Sequence, residues 1–197
     1  TKKTREVKMK RDIILSGVGG QGILSIATII GDAAMNKGMY IKQAEVHGMS
    51  QRGGDVHSHL RISDEPIASD LIGIGSADLI ISMEPMEALR YKPSLKKGGW
   101  IVTSKAPFVN IPNYPEVDKI YAELNAIGNV KLVDAEEIAK DNQMSRSVNM
   151  ILLGAAADAL GLDIKTLSDS VSRIFGSKGE EVVAMNIKAL ELGAFQK

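Results

Sequence analysis

The sequence predicts an α/β fold: a three-layer α/β/α, Rossmann-like domain with a mixed, mostly parallel sheet and C-terminal helices. Three observations predict it. Near the start of the chain, an apolar run of strand length opens into a glycine-rich turn and then an apolar helix. Short apolar runs separated by Gly and Pro recur as far as residue 133. From residue 135 onward only helix-length segments remain.

The elements follow in order. Residues 12–16 (Asp-Ile-Ile-Leu-Ser) are a strand and 17–22 (Gly-Val-Gly-Gly-Gln-Gly) a turn. Residues 23–35 are a helix closed by Asn-Lys-Gly at 36–38, the small residues expected at a C-terminal cap. A second strand over 40–44 completes a strand, glycine turn, helix, strand unit, the opening of a sheet with parallel strands. Residues 45–54 lack periodicity and predict a loop, while 55–62 predict a strand with Val56 and Leu60 on one side. Asp64-Glu-Pro66 is a turn. Further strands are expected over 78–82, 100–104 and 130–133, with a helix over 85–90 and a Pro-punctuated connection over 109–115. The C-terminal helices are placed at 135–140, 147–160, 164–173 and 180–192, the last with Val183, Ile187 and Leu190 on one face. The almost wholly apolar run after Asn149 must be buried, in this domain or against another subunit.

Composition narrows the function. A chain of 197 residues, 44% hydrophobic, suits one packed domain over 11–197, preceded by a basic N-terminal arm over 1–10 that includes Lys2, Lys3, Arg5, Lys8 and Lys10. Lys plus Arg equals Asp plus Glu at 24 each, which gives no general attraction to nucleic acid or anionic membrane. Cysteine is absent, removing disulfides, thiolate catalysis, thiolate zinc sites and cysteine-ligated iron–sulfur clusters. Redox chemistry must then use an organic cofactor or a partner. No apolar run approaches the roughly 20 residues of a spanning helix and no signal sequence is visible, so a cytoplasmic protein is expected. A G-x-S-x-G elbow, a Walker A loop, an H-E-x-x-H helix and a thiamine diphosphate motif are all missing.

Two stretches hold the candidate site residues. Gly17, Gly19 and Gly22 match G-x-G-x-x-G between strand and helix. Such a turn admits a phosphate to the helix N-terminus, or simply packs strand against helix closely. Glu45 stands where a ribose-binding acid would sit, but Gly20 and Gln21 depart from a plain dinucleotide turn. The second stretch, 45–54, should emerge beside that turn at the carboxyl edge of the sheet. It offers Arg52 as a bidentate anion clamp, His47 for proton exchange, and Gln51 as an amide, with Gly48, Gly53 and Gly54 for backbone freedom. His57 and His59 share one strand face; with His47 a zinc site is conceivable, yet no supporting ligand pattern exists, so no metal is expected. In 145–149 (Ser-Arg-Ser-Val-Asn), Ser147 is expected to cap the following helix, which leaves Arg146 and Asn149 unexplained.

Taken together, Ile-Leu-Ser-Gly-Val-Gly-Gly-Gln-Gly-Ile over 14–23, Glu-Val-His-Gly-Met-Ser-Gln-Arg-Gly-Gly over 45–54 and Phe-Val-Asn-Ile-Pro-Asn-Tyr-Pro over 108–115 resemble the gamma-type domain of 2-oxoacid:ferredoxin oxidoreductases. The likeness spans about residues 11–160 and is closest to the beta subunit of the indolepyruvate:ferredoxin oxidoreductase branch. It implies oxidative decarboxylation of arylpyruvates, with thiamine diphosphate and iron–sulfur clusters on a larger partner subunit, coenzyme A as co-substrate and ferredoxin as the indirect acceptor. This chain would complete the cleft, with Arg52 contacting an anion, His47 positioning polar groups, and Gly17, Gly19, Gly20, Gln21 and Gly22 shaping the turn. Glu45, Gln51, Gly53 and Gly54 are further cofactor-binding candidates. A gamma subunit of a pyruvate or 2-oxoglutarate enzyme, a free-standing dinucleotide oxidoreductase and a nucleotide-sensing scaffold are the competing expectations.

Overall fold

A computed structural model describes residues 9–47 and 53–196, with the His47 side chain outside that description. The elements run β1 (Lys10–Val18), α1 (Ile23–Asn36), β2 (Tyr40–His47), β3 (Asp55–Ser63), β4 (Ala77–Ser82), α2 (Pro85–Arg90), β5 (Leu95–Ser104), α3 (Val117–Asn125), β6 (Val130–Val133), α4 (Ala135–Asp141), α5 (Val148–Leu160), α6 (Ile164–Phe175) and α7 (Glu180–Ala194). They form one sheet of six strands in the order β2-β3-β1-β4-β5-β6. Strands β1, β4, β5 and β6 pair parallel, whereas β3 pairs antiparallel with both β1 and β2.

The sheet is mixed and mostly parallel, as the sequence leads one to expect. Its opening unit differs. β2 runs in the direction of β1 but does not touch it, because the chain turns back after β2 and lays β3 between them. β2 also continues through Glu45, Val46 and His47, which pair with Ser58, His57 and Val56. Those residues are therefore strand and not loop: an available antiparallel partner outweighs the weak local periodicity. β5 starts at Leu95, ahead of the expected 100, across a register shift opposite Ala77 and Leu79. α3 was not anticipated; it buries only Ile120 and Leu124, one turn apart, beneath a polar surface. Lys10 belongs to β1 opposite Ser63, and is not part of the arm. Met9 is likewise fixed, donating its N–H to the Asp64 carboxylate at 2.6 Å, and residues 1–8 of that arm lie outside the described residues.

Alternation along β1 divides the core. Ile13 and Leu15 face α1, α4, α5, α6 and α7, and Ile14 faces the smaller layer made by α2 and α3. The apolar run of α5 is buried within this domain: Met150, Ile151, Leu152, Leu153, Ala156 and Leu160 are each 0% exposed. α7 crosses α5 at backbone contact. A Cβ on Gly154 would collide with the Leu190 carbonyl, and one on Gly193 with the Ile151 carbonyl. Neither obstacle is a side chain that can swing aside. Gly154→Ala should therefore destabilise the chain by about 2 kcal/mol despite the better helix propensity of Ala, read as a lower urea midpoint at unchanged m-value.

Candidate functional site

β1 ends at the carboxyl edge, where the sheet order reverses direction between β1 and β4; open α/β sheets bind ligands at such a point. The glycine turn occupies it. Gln21 braces the turn: its Oε1 accepts the Val18 N–H at 2.7 Å and its Nε2 donates to the Met83 carbonyl at 3.4 Å, linking the ends of β1 and β4. A Cβ on Gly17 would lie 2.9 Å from that Gln21 Oε1 and 3.1 Å from Met83 Cβ, so Gly17 is required for packing. Gly22 precedes α1 at φ 82°, and a Cβ there would lie 2.8 Å from Asn149 Nδ2. Asn149 donates to the Gly22 carbonyl at 3.2 Å, which explains an Asn at the start of α5. Gly20, at φ 101°, borders open space instead.

The packing reading holds at Gly17 and Gly22, whereas Gly20 faces open space. Ser147 does not cap α5 through its hydroxyl; it is buried at the end of a 3₁₀ turn over Ser145–Ser147. Asn149 instead directs its amide N–H at the glycine turn, and α5 has no side-chain cap.

Pockets flank the turn on two sides. One, of about 370 Å³, is lined by Val18, Gly20, Ile23, Leu24, Glu45 and Val56 and is mainly apolar. The other, of about 470 Å³, is polar and is lined by Gly20, Ser25, Glu136, Ser145, Arg146 and Asn149. The Glu136 carboxyl is raised by burial, although it accepts the Ser104 hydroxyl at 2.5 Å. α1 starts without a side-chain cap, leaving first-turn N–H groups available beside Gly20. Glu45 thus does meet the glycine turn across a pocket. Because β3 intervenes, however, it stands two strands from β1, about 10 Å in the sheet plane, and a plain dinucleotide geometry is lost.

The hairpin joins the same edge. Gly19 N–H donates to the Gly54 carbonyl at 2.9 Å, and Asn110 Nδ2 donates to the Gly53 carbonyl at 2.8 Å. The glycine turn, the base of the β2–β3 hairpin and the connection before α3 are therefore bound together. The side chain of His47, and all of Gln51 and Arg52, lie outside the described residues.

Several residues that govern this edge carry no obvious signal in the sequence. Glu84, 1% exposed, caps α2 by accepting the Glu87 N–H at 2.8 Å. Its other oxygen accepts the Phe108 N–H at 3.2 Å and the Tyr114 phenol in a very short contact. Burial and the neighbouring Glu84 charge hold the Tyr114 phenol well above its usual range, so Tyr114 remains a donor. The only local hint is an acid immediately before Pro85, the N-cap pattern. Tyr91 lies between Asp55, at 2.8 and 3.1 Å, and His57 Nδ1, at 2.7 Å. Tyr91 has one hydrogen, so the arrangement that satisfies all three groups has His57 Nδ1–H donating to Tyr91 and Tyr91 donating to Asp55. His59 Nδ1 accepts the Ile72 N–H at 2.9 Å. Both imidazoles are shifted down, mainly by burial. Among the described residues, no group of three His, Asp or Glu is arranged to hold a metal ion.

A doubly wound sheet with a glycine turn, a hairpin base and a connecting segment meeting at the switch point is the ligand-cleft class of α/β domain. A profile of the pyruvate ferredoxin/flavodoxin oxidoreductase family matches residues 12–195, and the chain belongs to that family. Indolepyruvate oxidoreductase subunit IorB of Methanothermobacter thermautotrophicus is 35% identical over 192 residues, covering 94% of this chain and 96% of the relative. Two solved structures are similar. The 2-oxoglutarate:ferredoxin oxidoreductase of Magnetococcus marinus, determined with 2-oxoglutarate, coenzyme A and succinyl-CoA bound, matches with TM-score 0.74 and 25% identity over 94% of this chain, which spans 30% of that longer chain. Pyruvate oxidoreductase subunit PORC of Thermotoga maritima matches with TM-score 0.74 and 20% identity over 95% of this chain and 96% of its own.

Replacing Glu84 by Ala should cost about 2–3 kcal/mol, since it removes a helix cap and leaves the Phe108 N–H and Tyr114 hydroxyl without their acceptor. Hydrogen exchange should accelerate over 106–115 and at Gly53–Gly54 more than in α5 and α7. Uniform acceleration would mean that Glu84 serves only global stability.

Proposed function

We propose that the chain is the small, cluster-free subunit of an indolepyruvate-type 2-oxoacid:ferredoxin oxidoreductase, working in the cytoplasm as part of a hetero-oligomer. The observation that carries this reading is the convergence of 17–22, 53–54 and 108–114 at one carboxyl edge, joined by the Gly19–Gly54 and Asn110–Gly53 hydrogen bonds. The first lies in a turn that resembles the wider family, and the other two lie in the segments, 45–54 and 108–115, whose sequence resembles the indolepyruvate branch. The high coverage of the IorB relative supports the same assignment.

The residues here do not fit the redox groups of such an enzyme. There is no cysteine to ligate a cluster and no acidic trio, among the described residues, to hold the metal of a diphosphate cofactor. Thiamine diphosphate and the clusters are accordingly assigned to the larger partner subunit, and no electron passes through side chains of this chain. What this subunit supplies is shape and hydrogen bonding. Gly20 and the open N-terminus of α1 offer backbone N–H groups to an anionic group. Arg146 and Ser25 border the same polar pocket, and the apolar pocket on the opposite side suits an uncharged portion of a ligand. Coenzyme A, which combines phosphates with an apolar arm, is the co-substrate we assign to this edge; Arg52 is the proposed anion contact and His47 the polar positioning group. On this reading the chain is inactive alone, because bond cleavage and electron transfer both require groups that the partner holds.

Co-purification with the partner and reconstitution test the proposal. The chain by itself should show no arylpyruvate-dependent reduction of ferredoxin, and activity should appear on addition of a cysteine-rich, thiamine-binding subunit. In the assembled enzyme Arg52→Ala should raise KM for coenzyme A by about 10–100-fold, the worth of one charge-assisted hydrogen bond. Turnover by the chain alone would defeat the assignment, and an unchanged KM would remove Arg52 from the cleft.

A further inference from the structure

A further cavity, of about 510 Å³, opens between α5 and the β5–β6 margin of the sheet. It shares no residue with the two pockets at the glycine turn. Its walls include Trp100 and Val102 on β5, Lys131 on β6, and Ala155, Asp158 and Ala159 on α5. Strand register explains the grouping. Val102 pairs with Lys131, and Trp100 stands two residues before Val102, so all three side chains leave the face of the sheet on which α5 lies. Val102 is buried, whereas Trp100 keeps 43% of its surface exposed at the rim. β6 is the last strand of the sheet, and the cavity opens at that margin.

Two charges of opposite sign share these walls without neutralising each other. Lys131 Nζ donates to the Ala155 carbonyl at 3.2 Å, which leaves the ammonium with donors to spare. Asp158 lies one helical turn further along α5, on the same helix face as Ala155, and is exposed. Among the described residues its carboxylate has neither a hydrogen bond nor an ion pair. An anchored ammonium close to an unpaired carboxylate suits a ligand that brings both complementary charges. A dicarboxylate would meet Asp158, and a diamine would meet Lys131. A zwitterion avoids both conflicts. In an α-amino acid the carboxylate and the ammonium stand on one carbon, close enough to address both groups at once.

The uncharged walls select the side chain. Trp100, Val102, Ala155 and Ala159 supply an indole and apolar surface, and the volume falls within the range of small-molecule sites, well beyond what glycine or alanine would fill. An aromatic ring gains from offset or edge-to-face contact with an indole as well as from burial. We propose that this cavity binds a free α-amino acid with an aromatic side chain, its carboxylate on Lys131, its ammonium on Asp158 and its ring against Trp100. The inference uses neither the glycine turn nor the assignment of the chain to a redox complex, and stands apart from both.

Fluorescence tests it, because Trp100 is the only tryptophan of the chain. L-Phenylalanine, which does not absorb where tryptophan is selectively excited, should change the emission of the full chain along one saturable curve, with Kd below about 1 mM. L-Alanine, 3-phenylpropionate and 2-phenylethylamine lack the ring, the ammonium and the carboxylate respectively. Each should bind at least about tenfold more weakly. Asp158→Asn and Lys131→Met should each weaken L-phenylalanine binding by about tenfold or more, with calorimetry as the second readout. Asp158 is exposed, so Asp158→Asn should leave the urea midpoint in place and lose binding without losing the fold. The proposal is overturned by the absence of a saturable response up to about 10 mM L-phenylalanine. Equal binding of 3-phenylpropionate or 2-phenylethylamine, or undiminished binding in either variant, would overturn it as well.

Discussion

The arrangement of the carboxyl edge depends on β3 running back between β2 and β1. An antiparallel strand in that position begins at the carboxyl edge, so the residues that precede it arrive beside the end of β1 without further connection. Gly54 sits one residue before β3, and its carbonyl accepts the Gly19 N–H at 2.9 Å. Had β2 paired directly with β1, the turn after β2 would have led away to another crossover helix and the glycine turn would have lost its neighbour. A local feature, the hairpin, thus sets a long-range contact, and the two pockets lie on either side of the ridge it supports.

The glycines of the turn divide by task. Gly17 makes room for Gln21 and Met83, and Gly22 makes room for Asn149, so substituting either would force neighbouring groups apart. Gly20 meets nothing and has only a conformational requirement. Gln21 is the residue that separates this turn from a plain dinucleotide fingerprint. It spends its acceptor on β1 and its donor on β4, and a side chain so committed closes the seam between those strands from within the chain. What stays open is the rim around Gly20, bordered by α1, Glu45 and the start of α5.

Legibility in the sequence followed the range of the interactions. The apolar strand, glycine turn and helix at the start were readable because each is specified by adjacent residues, and the burial of α5 followed from an uninterrupted apolar run. Strand adjacency was not readable: nothing in Glu45–His47 marks them as paired with Ser58, His57 and Val56, since the pairing partner lies beyond the turn. α3 was missed because two buried residues in a polar segment scarcely raise its periodicity. Ser147 looked like a cap by type, but the chain enters α5 through a 3₁₀ turn that points the hydroxyl elsewhere. The acids of the edge were hardest. Apart from the acid before Pro85, nothing local marks Glu84, Asp55 or Glu87, and only the fold reveals that Glu84 and Glu87 are buried with their partners.

Their burial has a common physical sense. An edge built from loops is defined only as far as its backbone is held in place, because loops are the least constrained part of an α/β sheet. Apolar packing alone would fix such an edge poorly, because it is non-directional. Hydrogen bonds between buried polar groups are directional, and leaving one unmade is costly, so a satisfied network permits few alternative loop positions. Glu84 ties the connection before α3 to α2, Asn149 and Gln21 tie the glycine turn to α5 and β4, and Asp55 with Tyr91 ties the hairpin base to the end of α2. Each tie runs from a loop at the carboxyl edge to a strand end or helix behind it, and that placement fixes the open backbone around Gly20 in one position.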